Sequence, residues 1–309
     1  MKTLVTGGAG FIGSNLVALL RERGHHVTVL DSLVAGYREN LAPFPEVRLL
    51  SGDVRDISIL RSAAQGAEVV FHLAASVGNT RSIEHPRLDA EVNVLGTLNV
   101  LEVARELRIR KVVFSSSAGI FGELKTLPIA EGHPVEPDSP YGASKLAAEK
   151  LCLAYAKLFP PFEAICLRYF NVFGVNQRFD AYANVIPIFA HKLVRQQRIH
   201  VFGDGEQTRD FIHVSDVVRA NLAAGENRGV SGTFNLGSGV QITINNLIQR
   251  MQAASGLRTE VVHTAPRAGD VRHSLADVSA LRNVLGFSPQ ADFDAALREY
   301  LDWAKVAMR

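Results

Sequence analysis

Cysteine is scarce in this chain of 309 residues: there are two, Cys152 and Cys166, both inside apolar runs. Two buried thiols behave as small hydrophobes in a reducing compartment and exclude a disulfide framework. The ten histidines are scattered and no Cys/His cluster has zinc-like spacing, so no metal site is expected. Long apolar runs are missing too, and none approaches the roughly eighteen residues of a membrane span. Excess charge is also absent. A formal net charge of +2 gives no whole-molecule attraction for nucleic acid or an anionic membrane surface. The opening "MKTLVTGGAG" runs straight into a strand-like segment broken by glycines, without the pattern of a signal peptide. The expectation is a cytoplasmic protein without nucleic-acid or membrane partners.

What is there is ordinary for a soluble, enzyme-sized protein: 47% hydrophobic and 21% charged residues, enough for one large α/β domain or two lobes. Short β-branched runs alternate with longer helical patterns. "TLVTG" from Thr3, "HVTVLD" from His26, "VRLLSGD" from Val47, "EVVFHLAA" from Glu68, "KVVFSSSA" from Lys111 and "EAICLRYF" from Glu163 are near-continuously apolar, as parallel strands covered on both faces must be. Between them "IGSNLVALLRERG", "LDAEVNVLGTLNVLEVARELR" and "YGASKLAAEKLCLAYAKLF" read as helices. The pattern predicts an α/β fold with a doubly wound parallel sheet over residues 1–168. Beyond about Phe170 the alternation fades among the turn clusters "GVNQ", "FGDGEQ", "NLGSG" and "APRAGD", which predicts a smaller α/β lobe over 169–309. One strand, "GTFNLGS", is expected to return to the sheet near 232–238.

The first strand–helix turn is "TGGAGFIG". Gly7, Gly10 and Gly13 allow a tight turn and a close approach of backbone to a pyrophosphate, which the helix N-terminus attracts. Asp31 ends the next strand about twenty residues on, where a carboxylate accepts hydrogen bonds from the adenosine ribose and repels a 2′-phosphate. NAD is therefore favoured over NADP. Asp53, ending "LLSGD", reads either as an adenine contact or as the N-cap of the helix in "VRDISILRSA". The small residues of "HLAAS" leave room for a flat dinucleotide.

"SSSAGIFG" closes the fifth strand, and its C-terminal end lies on the sheet edge where ligands bind in this architecture. Tyr141 and Lys145, at i and i+4, share one helix face. The loop "GELKTLPIAEGHPVEPDSP" can return that helix to the same edge, bringing Ser117, Tyr141 and Lys145 together. A tyrosine of ordinary pKa near ~10 becomes a base when an ammonium and an oxidised nicotinamide favour its phenolate. Tyr141 would then take the proton of a substrate hydroxyl while its carbon gives up hydride, and Ser117 would hold the same oxygen.

Here the chain resembles the extended short-chain dehydrogenases/reductases of the nucleotide-sugar epimerase group. The motifs are "TGGAGFIG", "FHLAA", "NVLGTLNVLE", "SSSAGIFG", "SPYGASK", "RYFNVFG", "FGDGEQTRDFIHV", "NLGSG" and "RAGDVRHSLAD", spread over nearly the whole length. The resemblance implies a Rossmann domain, NAD held throughout turnover, a 4-keto intermediate and homodimers built from two helices per subunit. It implies cofactor contacts at Phe11, Ile12, Val54, Leu73, Ala74, Ala75, Asn93, Ser115 and Tyr169 besides those above. Sugar-nucleotide dehydratases and decarboxylases of the group usually carry an acid after the triad serine. Ala118 and Gly119 follow Ser117 here, which favours simple epimerisation. Phe121 stands where the group usually has tyrosine, and tuning rather than loss of activity is expected.

For a UDP-sugar the resemblance implies phosphate contacts at Arg209 and Arg267, uracil stacking on Phe202, and substrate contacts at Asn171, Asn184, Val185, Val201 and Asp270. Arginine's planar fork suits phosphate. Glucose-type 4-epimerases can close the sugar pocket with a bulky residue four positions after the aspartate of "GD". Ser274 stands there, and a serine leaves space for an N-acetyl group at C2. The expectation is a UDP-hexose 4-epimerase leaning towards UDP-GlcNAc and UDP-GalNAc. The alternatives are UDP-glucose/UDP-galactose or UDP-glucuronate epimerisation, a sugar-nucleotide reductase, and a non-catalytic NAD-binding sensor.

Overall fold

The computed structural model describes residues 1–179, 184–266 and 271–307. The first half alternates strands β1 (Lys2–Thr6), β2 (His26–Asp31), β3 (Arg48–Ser51), β4 (Val69–His72), β5 (Lys111–Ser117) and β6 (Glu163–Tyr169) with helices. These are α1 (Phe11–Glu22), α2 (Ile57–Ala64), α3 (Asn79–Glu84), α4 (Pro86–Ala90), α5 (Gly96–Glu106) and α6 (Pro140–Leu158). The second half adds β7 (Asn171–Phe173), α7 (Val185–Val194), β8 (Ile199–Phe202), β9 (Thr208–His213), α8 (Val214–Glu226) and β10 (Gly232–Leu236). It ends with β11 (Gln241–Thr243), α9 (Ile244–Ser255), β12 (Val261–Thr264), α10 (Ser279–Leu285) and α11 (Phe293–Ala307). No helix among the described residues is long and apolar enough to cross a membrane.

The central sheet has seven parallel strands in the order β3-β2-β1-β4-β5-β6-β10. "GTFNLGS" does return to it, with Phe234 opposite Leu167 at the β6 edge. The order reverses between β1 and β4, and that crevice is the ligand-binding edge of such a sheet. Both faces are covered, which is why its strands are apolar throughout. On one face α1, α8 and α10 enclose Val5, Phe71, Leu16, Val217 and Leu281. On the other, α2, α5 and α6 enclose Leu4, Val70, Val112, Val100 and Cys152. Helix α8 lies beyond the lobe boundary read from the pattern, yet it packs on the first sheet beside α1.

The second lobe has its own core, where α7, α9 and α11 close over β8 and β9 around Phe189, Leu247 and Tyr300. A three-stranded sheet, β11-β9-β7, and the parallel pair β12-β8 carry it. The lobes are tied below the site. Ile129 N donates to Leu275 O at 2.8 Å, and Ile129 and Ala276 share a small apolar cluster with Ile120, Phe121 and Phe170. Phe121 is buried there with the Arg168 guanidinium 5.1 Å from its ring centroid, a setting that asks nothing of a tyrosine hydroxyl.

Two local readings change. The helix expected from "LDAEVNVLGTLNVLEVARELR" is not uniform: a π-helical stretch, Glu91–Leu95, separates α4 from α5. The N-cap of α2 is Asp56, which accepts from Ser58 N and Ile59 N; Asp53 instead pairs with Arg55, at 2.8 Å through Oδ2. A cap must sit one step outside the first helical residue, and Asp53 is too far upstream.

Candidate active site

The glycine turn is built for backbone proximity. Gly7 has φ +70°, and a Cβ there would lie 2.7 Å from Ala74 N; one on Gly13 would lie 2.1 Å from Gly7 O. Gly10 is the N-cap of α1 and brings no side-chain cap, so the first N–H groups of the helix stay available to an anion. Gly7, Gly10, Phe11 and Ile12 keep part of their surface exposed, as do Leu73, Ala74 and Ala75 just past β4. Asp31 ends β2 as expected. Its carboxylate accepts from Ala9 N at 2.9 Å and Leu33 N at 2.8 Å, and its remaining lone pairs suit a ribose diol.

A second feature fits a dinucleotide. The loop after β7 is pinned to α1 by Asn176 Nδ2 donating to Ser14 Oγ (3.0 Å) and Asn15 Nδ2 donating to Val175 O (3.0 Å). It brings the Arg178 guanidinium 4.0 Å from the Tyr37 ring centroid, and Tyr37 N bonds Ala9 O. Among the described residues Arg178 Nε is buried with no hydrogen-bond partner. A cationic group with an unused buried N–H beside the glycine turn is suited to an anionic cofactor.

Ser117, Tyr141 and Lys145 do converge. Ser139 caps α6 by accepting from Gly142 N at 3.2 Å, and Pro140 supplies the preset φ of its first turn. Gly142 lets that turn press on the end of β5: a Cβ there would lie 2.3 Å from Gly119 O. Gly119 itself lies between the two hydroxyl-bearing residues, since a Cβ on it would meet Ser117 Oγ at 3.4 Å and the Tyr141 ring at 3.8 Å. Ser117 Oγ accepts from Gly119 N at 3.1 Å.

The electrostatics are set mainly by burial. Tyr141 is pushed up to about 12 by desolvation and by the negative charge of Asp89, while the nearby Ser117 hydroxyl acts the other way. Lys145 is lowered to about 8 by its burial, with Cys152, Asp89, Cys166 and Glu149 opposing. Its ammonium lies 4.4 Å from the Phe114 ring centroid. In the protein alone burial thus sets the Tyr141 pKa, and the positive charge of oxidised NAD would favour the phenolate. His72, between Thr6 Oγ1 (2.7 Å) and Thr97 Oγ1 (3.0 Å), is held neutral by burial, its pKa lowered to about 3.

Other expected contacts separate into open and engaged groups. Asn93 is buried and donates to Ser76 O, Asp89 Oδ1 and Ser144 Oγ, each at 3.0 Å, so it shapes the crevice through the Ser76 backbone rather than by a free amide. Tyr169 is buried with its hydroxyl 2.9 Å from Asn221 Oδ1, and Ser115 lies close to it. Val54 is core on the α5 side, where it fills the space beside Gly96. Val201 is likewise core of the second lobe, leaving only its backbone for a ligand. Its neighbour Phe202 is 44% exposed and lines an open cavity of about 430 Å³ with Gly203, Asp204, Gln207, Thr264 and Pro266. Arg209 Nη1 donates to Val271 O at 2.6 Å beside that cavity. Asn171 Nδ2 donates to Asp210 O at 3.2 Å, and Asn184 precedes Val185 at the start of α7. Ser274 is 8% exposed, two residues before Ala276 in the cluster that holds Ile120 and Phe121. Arg267 and Asp270 lie outside the described residues.

Sequence reasoning missed the buried carboxylates. Asp210 accepts from Ser238 N (2.6 Å), Ser238 Oγ (2.7 Å), Gly239 N (3.0 Å) and Ala276 N (3.1 Å), joining "TRDFIHV", "NLGSG" and "SLAD". Its signal was a lone acid in an apolar strand. Asp89 had no such signal, since "PRLDA" reads as a solvated helix. Among the described residues no cluster of His, Cys, Asp or Glu has the form of a metal site.

A doubly wound sheet whose switch-point crevice combines a glycine cradle with Ser, Tyr and Lys defines an NAD-dependent enzyme of the short-chain dehydrogenase/reductase type. Residues 3–237 match the model of the NAD-dependent epimerase/dehydratase family, and the chain belongs to that family. It is 39% identical to a UDP-glucose 4-epimerase of Mycolicibacterium smegmatis over 94% of each chain. Its fold is similar to UDP-glucose 4-epimerase from Thermotoga maritima, solved with UDP-glucose (TM-score 0.94, 35% identity, 100% of both chains). It is also similar to UDP-N-acetylglucosamine 4-epimerase from Methanobrevibacter ruminantium, solved with UDP-N-acetylmuramic acid (TM-score 0.94, 34% identity, covering 99% of this chain and 98% of that one).

Proposed function

We propose that the protein is a UDP-hexose 4-epimerase acting on UDP-GlcNAc and UDP-GalNAc. The observation that carries the reaction type is the contact of Ser117, Gly119 and Tyr141 at the C-terminal edge of β5, where Ala118 and Gly119 rather than an acid follow Ser117. Bound NAD supplies the hydride acceptor and donor at C4 of the sugar. Tyr141 takes the C4 hydroxyl proton as the C4–H electron pair leaves, and returns it to the oxygen of the 4-keto sugar on the second transfer. Ser117 holds that oxygen in both directions, and Lys145 is the cation that favours the phenolate once the cofactor is in place. Phe202 and the cavity beside it suit a nucleobase, and Arg209, which donates to Val271 O beside that cavity, is the cation assigned to the diphosphate.

Between the two transfers the keto sugar must present its other face, so space around C2 decides whether an N-acetyl group is tolerated. Ser274 supports the N-acetyl reading because a small, buried side chain stands two residues before Ala276, which packs with Ile120 and Phe121. The test is kcat/KM on a UDP-sugar panel without added nicotinamide nucleotide. Wild type is expected to turn over both N-acetylated sugars, and Ser274→Tyr to lose these while keeping UDP-glucose and UDP-galactose. Buried clashes exceed the roughly 1–3 kcal/mol of a methylene mismatch, so the discrimination should be more than ~100-fold. Wild-type activity confined to the non-acetylated pair would overturn the substrate assignment but not the reaction type.

We further propose a homodimer through α4–α6. Leu88 (37%), Leu95 (53%), Leu158 (66%) and Phe159 (37%) are exposed along these helices, more apolar surface than a solvated face carries.

A further inference from the structure

We propose that Asp89 is a positioning residue for the Tyr141–Lys145 pair: its buried carboxylate braces the first turns of α6 through Asn93 and Ser144 and supplies the fixed negative charge that balances the Lys145 ammonium. This rests on the reading of Tyr141 as the base. Asp89 lies on α4 and is 1% exposed. Its Oδ1 accepts from Asn93 Nδ2 at 3.0 Å, while its Oδ2 is buried with no hydrogen-bond partner among the described residues. Asn93 sits in the π-helical stretch, a feature frequent at functional sites, and donates to Ser144 Oγ, which in turn donates to Tyr141 O at 3.0 Å. A continuous line of bonds therefore runs from the carboxylate to the backbone of the base.

A buried carboxylate left half-bonded is costly unless a charge compensates it. Burial pushes the Asp89 pKa up, and the Ser144 hydroxyl, the Asn93 amide and then the Lys145 ammonium, one turn beyond Tyr141 on α6, pull it down. Asp89 in turn favours the protonated forms of both Lys145 and Tyr141. The other groups nearby are already matched or neutral. Glu149 on α6 is bidentate with Arg168, at 2.7 Å and 3.0 Å, and accepts from Ser116 Oγ. Cys152 is buried in α6, and burial pushes the Cys166 thiol on β6 up. His72 on β4 stays neutral. Glu91 in the π-helical stretch faces Arg55 at 3.2 Å, Arg87 and His85 are exposed around α4, and α3 carries Arg81 and Glu84.

The sign of the effect follows. Removing the negative charge lets Lys145 lose its proton, and Tyr141 ionise, at lower pH. Activity needs phenolate and ammonium together, so both limbs of the kcat/KM–pH profile move the same way. Asp89→Asn keeps the shape and the Asn93 contact, and its profile is expected to lie about one pH unit below wild type. Asp89→Glu should restore the wild-type position. Ser144→Ala cuts the brace but keeps the carboxylate, so its rate should fall with a smaller displacement of the profile than Asp89→Asn gives. The ultraviolet absorbance of the phenolate, taken as wild type minus Tyr141→Phe, reads the same displacement without substrate. That readout separates failure of the proposal from failure of the substrate assignment. An Asp89→Asn profile superimposed on wild type overturns the charge role. If Asp89→Asn does not fold, an Asp89→Ser profile superimposed on wild type overturns it equally.

Discussion

Gly142→Ala isolates one contact on which the site's geometry depends. The new Cβ would stand 2.3 Å from Gly119 O and 2.8 Å from Pro137 Cβ. Real Cβ atoms essentially never approach a heavy atom closer than 3.0 Å, so backbone must give way. The carbonyl belongs to the turn that holds Ser117 and cannot rotate aside as a side chain could. Relief requires the first turn of α6, with Tyr141, to retreat from that turn by about 1 Å, a displacement that can cost about 100-fold in rate. Overpacking of this kind also costs about 1–3 kcal/mol of stability, against which the gain in helix propensity from glycine to alanine is at most about 1 kcal/mol. The assay is kcat and KM together with NAD content and denaturant unfolding. kcat should fall by about two orders of magnitude with KM changed much less, because the cavity at Phe202 lies in the other lobe. Ala143→Ser, at an exposed position on the same turn, is the control and should be silent. A Gly142→Ala enzyme within threefold of wild-type kcat would show that the Ser117–Tyr141 approach does not set the rate.

Tyr141→Phe should lower turnover by roughly two to four orders of magnitude while substrate still binds, read by kinetics and by equilibrium titration. Acid lability should trace partly to His72. Its folded pKa of about 3 lies below the ordinary 6.5, so the unfolded chain binds the proton first and stability falls as pH drops from 6.5 towards 3, by up to about 4 kcal/mol. Urea unfolding of wild type and His72→Gln across that range should show a shallower pH slope in the variant, and equal slopes would assign the effect elsewhere. Light scattering at micromolar concentration should give a dimer, reduced to monomer by Leu95→Glu with Leu158→Glu; a wild-type monomer would remove the α4–α6 interface.

The sheet was legible because its signals are local. Continuous β-branched runs mark β1, β2 and β4–β6, glycine spacing marks the cradle, and the i, i+4 spacing of Tyr141 and Lys145 places both on one face before any contact is known. The chain's periodicity therefore determined the fold class, the cofactor edge and which side chains are proposed to react. Periodicity cannot say what a buried polar atom meets across a gap of many residues. Whether Asp89 reaches Ser144 through Asn93, or Asp210 holds both Ser238 and Ala276, depends on which elements pack together. Strand order made α8 a layer of the first sheet, although the strand before it, β9, belongs to the other lobe. Burial then set the charges: Tyr141 and Lys145 are shifted mainly by the desolvation that packing imposes, a quantity absent from the chain until its helices close over the sheet.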